Sequence, residues 1–104
     1  NRLDILALIA YVAGSRQTDR AAAVFHATLA AGLVEWAERA ARRLGLKHIA
    51  LAGGCFANRV LAGAVRADLV ARGLTVLEAR QVPPGDGGLS LGQAWIALLT
   101  SREI

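Results

Sequence analysis

What this sequence has little of narrows its class before any motif is read. One cysteine stands among 104 residues, so no internal disulfide can form and a disulfide-stapled secreted domain is excluded. Aromatic residues are scarce, with two Trp, two Phe and one Tyr, and none alternates with the arginines as a base-stacking surface would require. No apolar run reaches the length of a membrane span: the stretch from Leu3 to Ala13 is about eleven residues and carries Asp4, against roughly twenty for a spanning helix. No signal segment is evident, and a cytoplasmic, membrane-free protein is expected. Methionine is absent altogether, position 1 included, and the chain is read as beginning inside a longer polypeptide.

What is present is small and apolar. Hydrophobic residues make up 55% of the chain, mostly Ala, Leu and Val, a composition that suits helices packed closely on a small sheet. The length allows one domain with a modest core. The net charge of +4 comes from arginines scattered among acidic residues, which reads as a solvated face and not as a nucleic-acid surface.

Taken in order, Leu3, Leu6, Ala7, Ala10 and Tyr11 recur at helical steps and predict a short helix ending at Gly14. Thr18 or Asp19 is positioned to cap a second helix, with a predicted apolar stripe of Ala22, Phe25, Leu29, Leu33, Trp36, Ala40 and Leu44. Glu35 with Arg39 and Glu38 with Arg42 add i,i+4 pairs, and Gly45 occupies the place of a left-handed C-cap. His26, at the edge of the stripe, serves either a site or packing with one ring nitrogen on a nearby carbonyl; packing is preferred. His48 to Ala52 reads as a strand buried on both faces. Val60, Leu61, Ala64, Val65, Asp68 and Leu69 then make a helix stopping at Gly73, and Leu74 to Leu77 a second strand. Strand, helix and strand predict a right-handed βαβ unit with parallel strands, and Leu89 to Leu99 a final helix.

Two glycine-bearing bends fall at the carboxyl ends of those strands, the edge where α/β proteins bind ligands. In the first, Gly53 and Gly54 have no side chains to keep a ligand off the backbone, and the following helix offers N–H groups without intrahelical partners. That suits an anion such as phosphate, though the pair could equally only turn the chain. In the second, Pro83 and Pro84 hold an extended backbone, Gly85 permits a reversal, and Asp86 stands at or just before the final helix as an N-cap, a metal-binding carboxylate, or both. Gly87, Gly88 and Gly92 exceed what a cap needs; since Gly costs a helix about 1 kcal/mol relative to Ala, they point to close approach of something. The P-loop and dinucleotide patterns both fail, and Cys55, placed like an elbow nucleophile but without a base or the following Gly, is assigned a buried apolar role.

Leu51-Ala-Gly-Gly-Cys-Phe-Ala-Asn58-Arg together with Val82-Pro-Pro-Gly-Asp-Gly-Gly-Leu-Ser-Leu-Gly-Gln93 resembles the C-terminal end of hydrogenase maturation carbamoyltransferases of the HypF type, and the Phe25-His26 helix extends the likeness over nearly the whole chain. The layout is also similar to the ATPase that makes threonylcarbamoyladenosine in tRNA and to antibiotic O-carbamoyltransferases, all of the actin, sugar kinase and heat-shock ATPase fold. The resemblance implies a helix–helix–β–α–β–α piece of a ribonuclease H-like domain, with residues 1–104 as a single C-terminal fragment of a carbamoyltransferase domain. It implies transfer of a carbamoyl group from carbamoyl-adenylate, made from carbamoyl phosphate and ATP in another domain, to the C-terminal cysteine of the partner maturation protein HypE. Gly53 and Gly54 would approach the nucleotide phosphates, Asn58 would hydrogen-bond the nucleotide, and Asp86 would be one ligand of a divalent metal, Zn, Fe or Mg. Two histidine ligands from a helix well upstream are expected outside this chain. Cys55 and Ala57 depart from the family's usual Val and Gln. The alternatives carried forward are a tRNA-directed or O-carbamoyl-transferring relative and a non-catalytic interaction module. Alone, the fragment is expected not to turn over and to self-associate through uncovered sheet edges and helix faces, the remainder of its own chain being its natural partner.

Overall fold

The computed structural model describes residues 2–102. In chain order they form α1 (Leu6–Gly14), α2 (Thr18–Leu44), β1 (His48–Leu51), a 3₁₀ turn (Gly54–Ala57), α3 (Arg59–Ala71), β2 (Thr75–Glu78), a second 3₁₀ turn (Asp86–Gly88) and α4 (Leu89–Ser101). β1 and β2 pair in parallel with His48 opposite Thr75 and Leu51 opposite Glu78, so both strands end on one edge. An α/β chain of four helices and a two-stranded parallel sheet is therefore as the sequence pattern predicts.

The core lies between α2, α3 and one face of the sheet. Leu61, Val65 and Leu69 repeat every four residues along α3 and meet Ala30 and Val34 of α2 and Leu51 of β1. Leu69, Val34 and Val65 are fully buried, which stabilises the fold by about 1.5–3 kcal/mol each. The predicted stripe holds only in part: α2 buries Ala21, Ala30, Val34 and Ala41, and the predicted Leu29 and Leu33 pack half-buried against the core, whereas Ala22 is exposed, Trp36 is 43% exposed and Leu44 is 64% exposed. An alanine-rich helix is apolar almost all round, so periodicity cannot choose the face; the close approach of α3 chooses the smaller side chains. Trp36 instead borders the N-terminal segment with Leu3 and Gly32, and Gly32 leaves room for Leu3, whose Cδ1 lies 3.0 Å from where a Cβ would stand.

Two further expectations need correction. α2 begins at Thr18 with Gln17 as N-cap and no side-chain cap bond, so neither Thr18 nor Asp19 caps it. At the other end Gly45 does take the left-handed conformation, φ 67°. β1 is buried on one face and not on both, because among the described residues nothing covers Ala50 and His48 on the other side. The same uncovered face carries Leu77 of β2, 51% exposed.

Every residue of α4 is exposed, including Leu89, Leu91, Trp95, Ile96, Leu98 and Leu99. Together with the open sheet face, α4 bounds an apolar groove of about 840 Å³. The Cα radius of gyration is 16.7 Å, well above the roughly 13 Å of a compact domain this long, which matches helices that stand off the core. Among the described residues no helix is long and apolar enough to cross a membrane.

Ion pairs tie the helices on the solvent side. Glu35 pairs with Arg39 as its spacing predicts. Glu38 reaches Arg42 at 2.6 Å and also Arg72, just past α3. The Arg72 hydrogen bond, more than the charge of Arg42, holds the Glu38 carboxyl below its ordinary pKa. A carboxylate depressed in the folded state contributes stability above its unfolded pKa and loses it as pH falls through the folded one. Thermal unfolding of the native protein and Glu38→Gln should therefore differ at neutral pH, by a few degrees at most because the pair is solvated, and converge on acidification. A difference that widens toward acid would contradict this pairing.

Candidate functional site

The rim of the sheet is made where the two glycine bends meet. Leaving β1, the chain passes through Gly53 at φ 104° and ψ 159°, a region essentially closed to side-chain-bearing residues. That conformation turns the Gly53 N–H onto the Pro84 carbonyl at 2.7 Å, joining the first bend to the second. Gly85 then lies against Gly54: a Cβ on Gly85 would stand 3.3 Å from the Gly54 Cα. In the second bend a Cβ on Gly88 would fall 2.6 Å from the Pro83 carbonyl oxygen and one on Gly87 would meet the Pro83 ring. The close approach that the glycines foretold is thus largely the chain upon itself. Gly92 meets nothing within 4 Å.

Backbone donors at this rim differ from those expected. Val60 N–H and Leu61 N–H, at the start of α3, both donate to Asn58 Oδ1, at 3.0 and 3.3 Å. Phe56 and Asn58 N–H groups close the 3₁₀ turn on Gly53 and Cys55 carbonyls. Among the described residues, Gly54 and Cys55 N–H have no intramolecular acceptor, and a Cβ at Gly53 or Gly54 would meet nothing within 4 Å. The backbone donors left open at the rim are therefore those of Gly54 and Cys55, and not those of the capped helix behind the turn.

Asp86 opens the second 3₁₀ turn beside this junction, one residue after Gly85. It makes no cap bond, and Gly88, not Asp86, is the N-cap of α4, so the capping role is excluded. Its carboxylate is exposed. No group of three or more His, Cys, Asp or Glu able to hold a metal occurs among the described residues, so Asp86 can act only as one ligand of a set completed from elsewhere. Cys55 is exposed on the rim, contrary to its expected burial, because the 3₁₀ turn directs Phe56 toward the core in its place.

Asn58 carries a contact the sequence did not disclose. Its Nδ2 donates to His26 Nε2, in the N-terminal third of α2, at 3.0 Å. His26 Nδ1 in turn donates to the Ala22 carbonyl at 3.0 Å, the packing arrangement expected of it. A helical i,i−4 bond from histidine could have been guessed from spacing; the partner thirty-two residues away could not. Gly53, Gly54 and Asp86 thus share one rim, while Asn58 stands at the far end of the intervening turn.

Fold and rim together define an α/β subdomain with one covered and one open sheet face, presenting a glycine-lined backbone edge beside a free carboxylate. The chain belongs to the HypF-type carbamoyltransferase family: the description "carbamoyltransferase, Kae1-like domain, second subdomain" matches residues 2–93. It is 47% identical over 98 residues to carbamoyltransferase HypF2 of Cupriavidus necator, covering 94% of this chain and 12% of that protein. A carbamoyltransferase HypF homolog of the same organism is 56% identical over 81 residues, 78% of this chain and 21% of the relative. Carbamoyltransferase HypF of Rhizobium leguminosarum is 51% identical over 73 residues, 70% of this chain and 10% of that protein. The chain spans between 10% and 21% of the length of these relatives. No solved structure matches it.

Proposed function

We propose that this chain is the C-terminal part of a carbamoyltransferase that passes a carbamoyl group from carbamoyl-adenylate to the C-terminal cysteine of a HypE-type maturation protein, a step in building nickel–iron hydrogenase. The observation that carries this reading is the Gly53–Pro84 hydrogen bond, which brings the two motif-bearing bends to one edge. Family membership supplies the reaction class. On this reading the domain is of the ribonuclease H-like, actin-like ATPase type.

The residues present suit a nucleotide phosphate. Gly54 and Cys55 N–H groups have no intramolecular acceptor among the described residues, Gly53 and Gly54 leave the approach unobstructed, and the exposed Asp86 directly follows Gly85, which packs on Gly54. Asn58, with its oxygen committed to the cap, keeps one amide hydrogen to donate to the nucleotide. Asp86 supplies a hard oxygen ligand for Zn, Fe or Mg, with the histidine ligands coming from the rest of the protein. A bound divalent cation would offset the negative charge of the phosphates. The open apolar groove along α4 is the face that the remainder of the full-length chain covers, and without it two copies would associate there.

The acceptor is tested directly. Full-length protein supplied with carbamoyl phosphate and ATP should carbamoylate a HypE-type acceptor ending in cysteine, and should leave tRNA unmodified. Modification of tRNA and not of the cysteine would move the chain to the threonylcarbamoyl branch. Modification of neither would favour a non-catalytic module.

A further inference from the structure

A hydrogen-bonded chain runs from the N-terminal third of α2 to the start of α3. The Ala22 carbonyl accepts from His26 Nδ1 at 3.0 Å, and His26 Nε2 accepts from Asn58 Nδ2 at 3.0 Å. Asn58 Oδ1 then accepts from Val60 N–H and Leu61 N–H. Each atom has one role consistent with its chemistry: the imidazole is the neutral tautomer with its proton on Nδ1, and the amide of Asn58 can be oriented in one sense only. Phe25 holds the ring from the side, its own ring in an edge contact with centroids 5.8 Å apart and planes at 85°. Asn58 is both the last residue after the Gly54–Ala57 turn and the N-cap of α3, so whatever orients its side chain also fixes where that turn ends.

We infer that His26 is a positioning residue for the rim: it holds the Asn58 amide in the capping orientation and thereby sets the shape of the Gly53–Asn58 bend toward a phosphate-bearing ligand. His26 touches neither the bend's open amides nor Asp86. It acts through Asn58, and the part of the inference that concerns ligand rests on the nucleotide reading given above.

Three forms of the full-length protein separate the possibilities. His26→Phe keeps a planar ring and removes both nitrogens, while His26→Gln restores an acceptor at about the reach of Nε2. Hydrogen exchange of the Val60 and Leu61 amides should accelerate about fivefold or more in His26→Phe, the scale of a lost N-cap, and return to within about twofold of wild type in His26→Gln. The dissociation constant for ATP should follow the same order, with melting temperatures of the two variants close to each other. Unchanged exchange in His26→Phe overturns the inference, as does equal behaviour of the two variants. Altered exchange with unaltered ATP affinity overturns the link to the ligand. If wild-type protein binds no ATP while exchange responds as stated, the nucleotide reading fails and the positioning of Asn58 stands.

Discussion

Gly53→Ala is expected to cost the full-length protein about 1–3 kcal/mol of stability, while Gly54→Ala is expected to cost almost none. Space is not the difference, since an added Cβ at either position meets nothing within 4 Å. Conformation is: Gly53 sits at φ 104°, ψ 159°, whereas Gly54 has no left-handed φ. Relaxing Gly53 to an ordinary backbone conformation would also turn its N–H away from Pro84 and part the two bends. Gly54→Ala instead leaves the fold intact and places a methyl group at the rim beside the open amides. If a phosphate docks there, nucleotide affinity should fall about tenfold or more at unchanged melting temperature, an effect of the size of a lost charge-assisted hydrogen bond. Calorimetric titration of ATP with parallel thermal unfolding reads both quantities. Undiminished affinity in Gly54→Ala would remove the phosphate from this bend.

Asp86→Asn should weaken binding of a divalent cation by about one to two orders of magnitude and leave the melting temperature where it was. The side chain is exposed and makes no cap bond, and the substitution preserves its size, so the variant changes charge and little else. Because no group of three or more metal-binding side chains occurs among the described residues, the measurement must use the full-length protein with Zn²⁺, Fe²⁺ and Mg²⁺ in turn. Carbamoyl transfer should fall in proportion to metal occupancy and recover as metal is raised. Equal metal affinity in both proteins would leave Asp86 a solvated loop residue and favour the interaction-module reading.

Much of the fold was legible because its signals are local. Gly14, Gly45 and Gly73 mark the ends of the first three helices, and Gly45 and Gly73 do so with positive φ. Glu35, Glu38 and their i+4 arginines pair as spacing dictates. Of the periodic positions read along α3, Leu61, Val65 and Leu69 are buried, whereas Val60, Ala64 and Asp68 are exposed, because only one line of side chains four residues apart fits against α2 and the sheet. α2 is apolar nearly all round over Ala27–Val34, so the sequence found the half-buried Leu29 and Leu33 and missed their buried neighbours Ala30 and Val34. Cys55 was placed inside for its residue type, yet the tight turn after Gly53 had room to bury one neighbour and took Phe56.

The order of apolar runs, helix stops and glycine bends by itself determined an α/β chain with two parallel strands and both bends on one edge, since those features depend on residues a few positions apart. Which side of α2 meets α3, that Pro84 accepts from Gly53, and that His26 holds Asn58 were decided by tertiary structure alone. Each of these joins residues some thirty positions apart, where loop closure and side-chain fit in three dimensions, and not periodicity, select the partner.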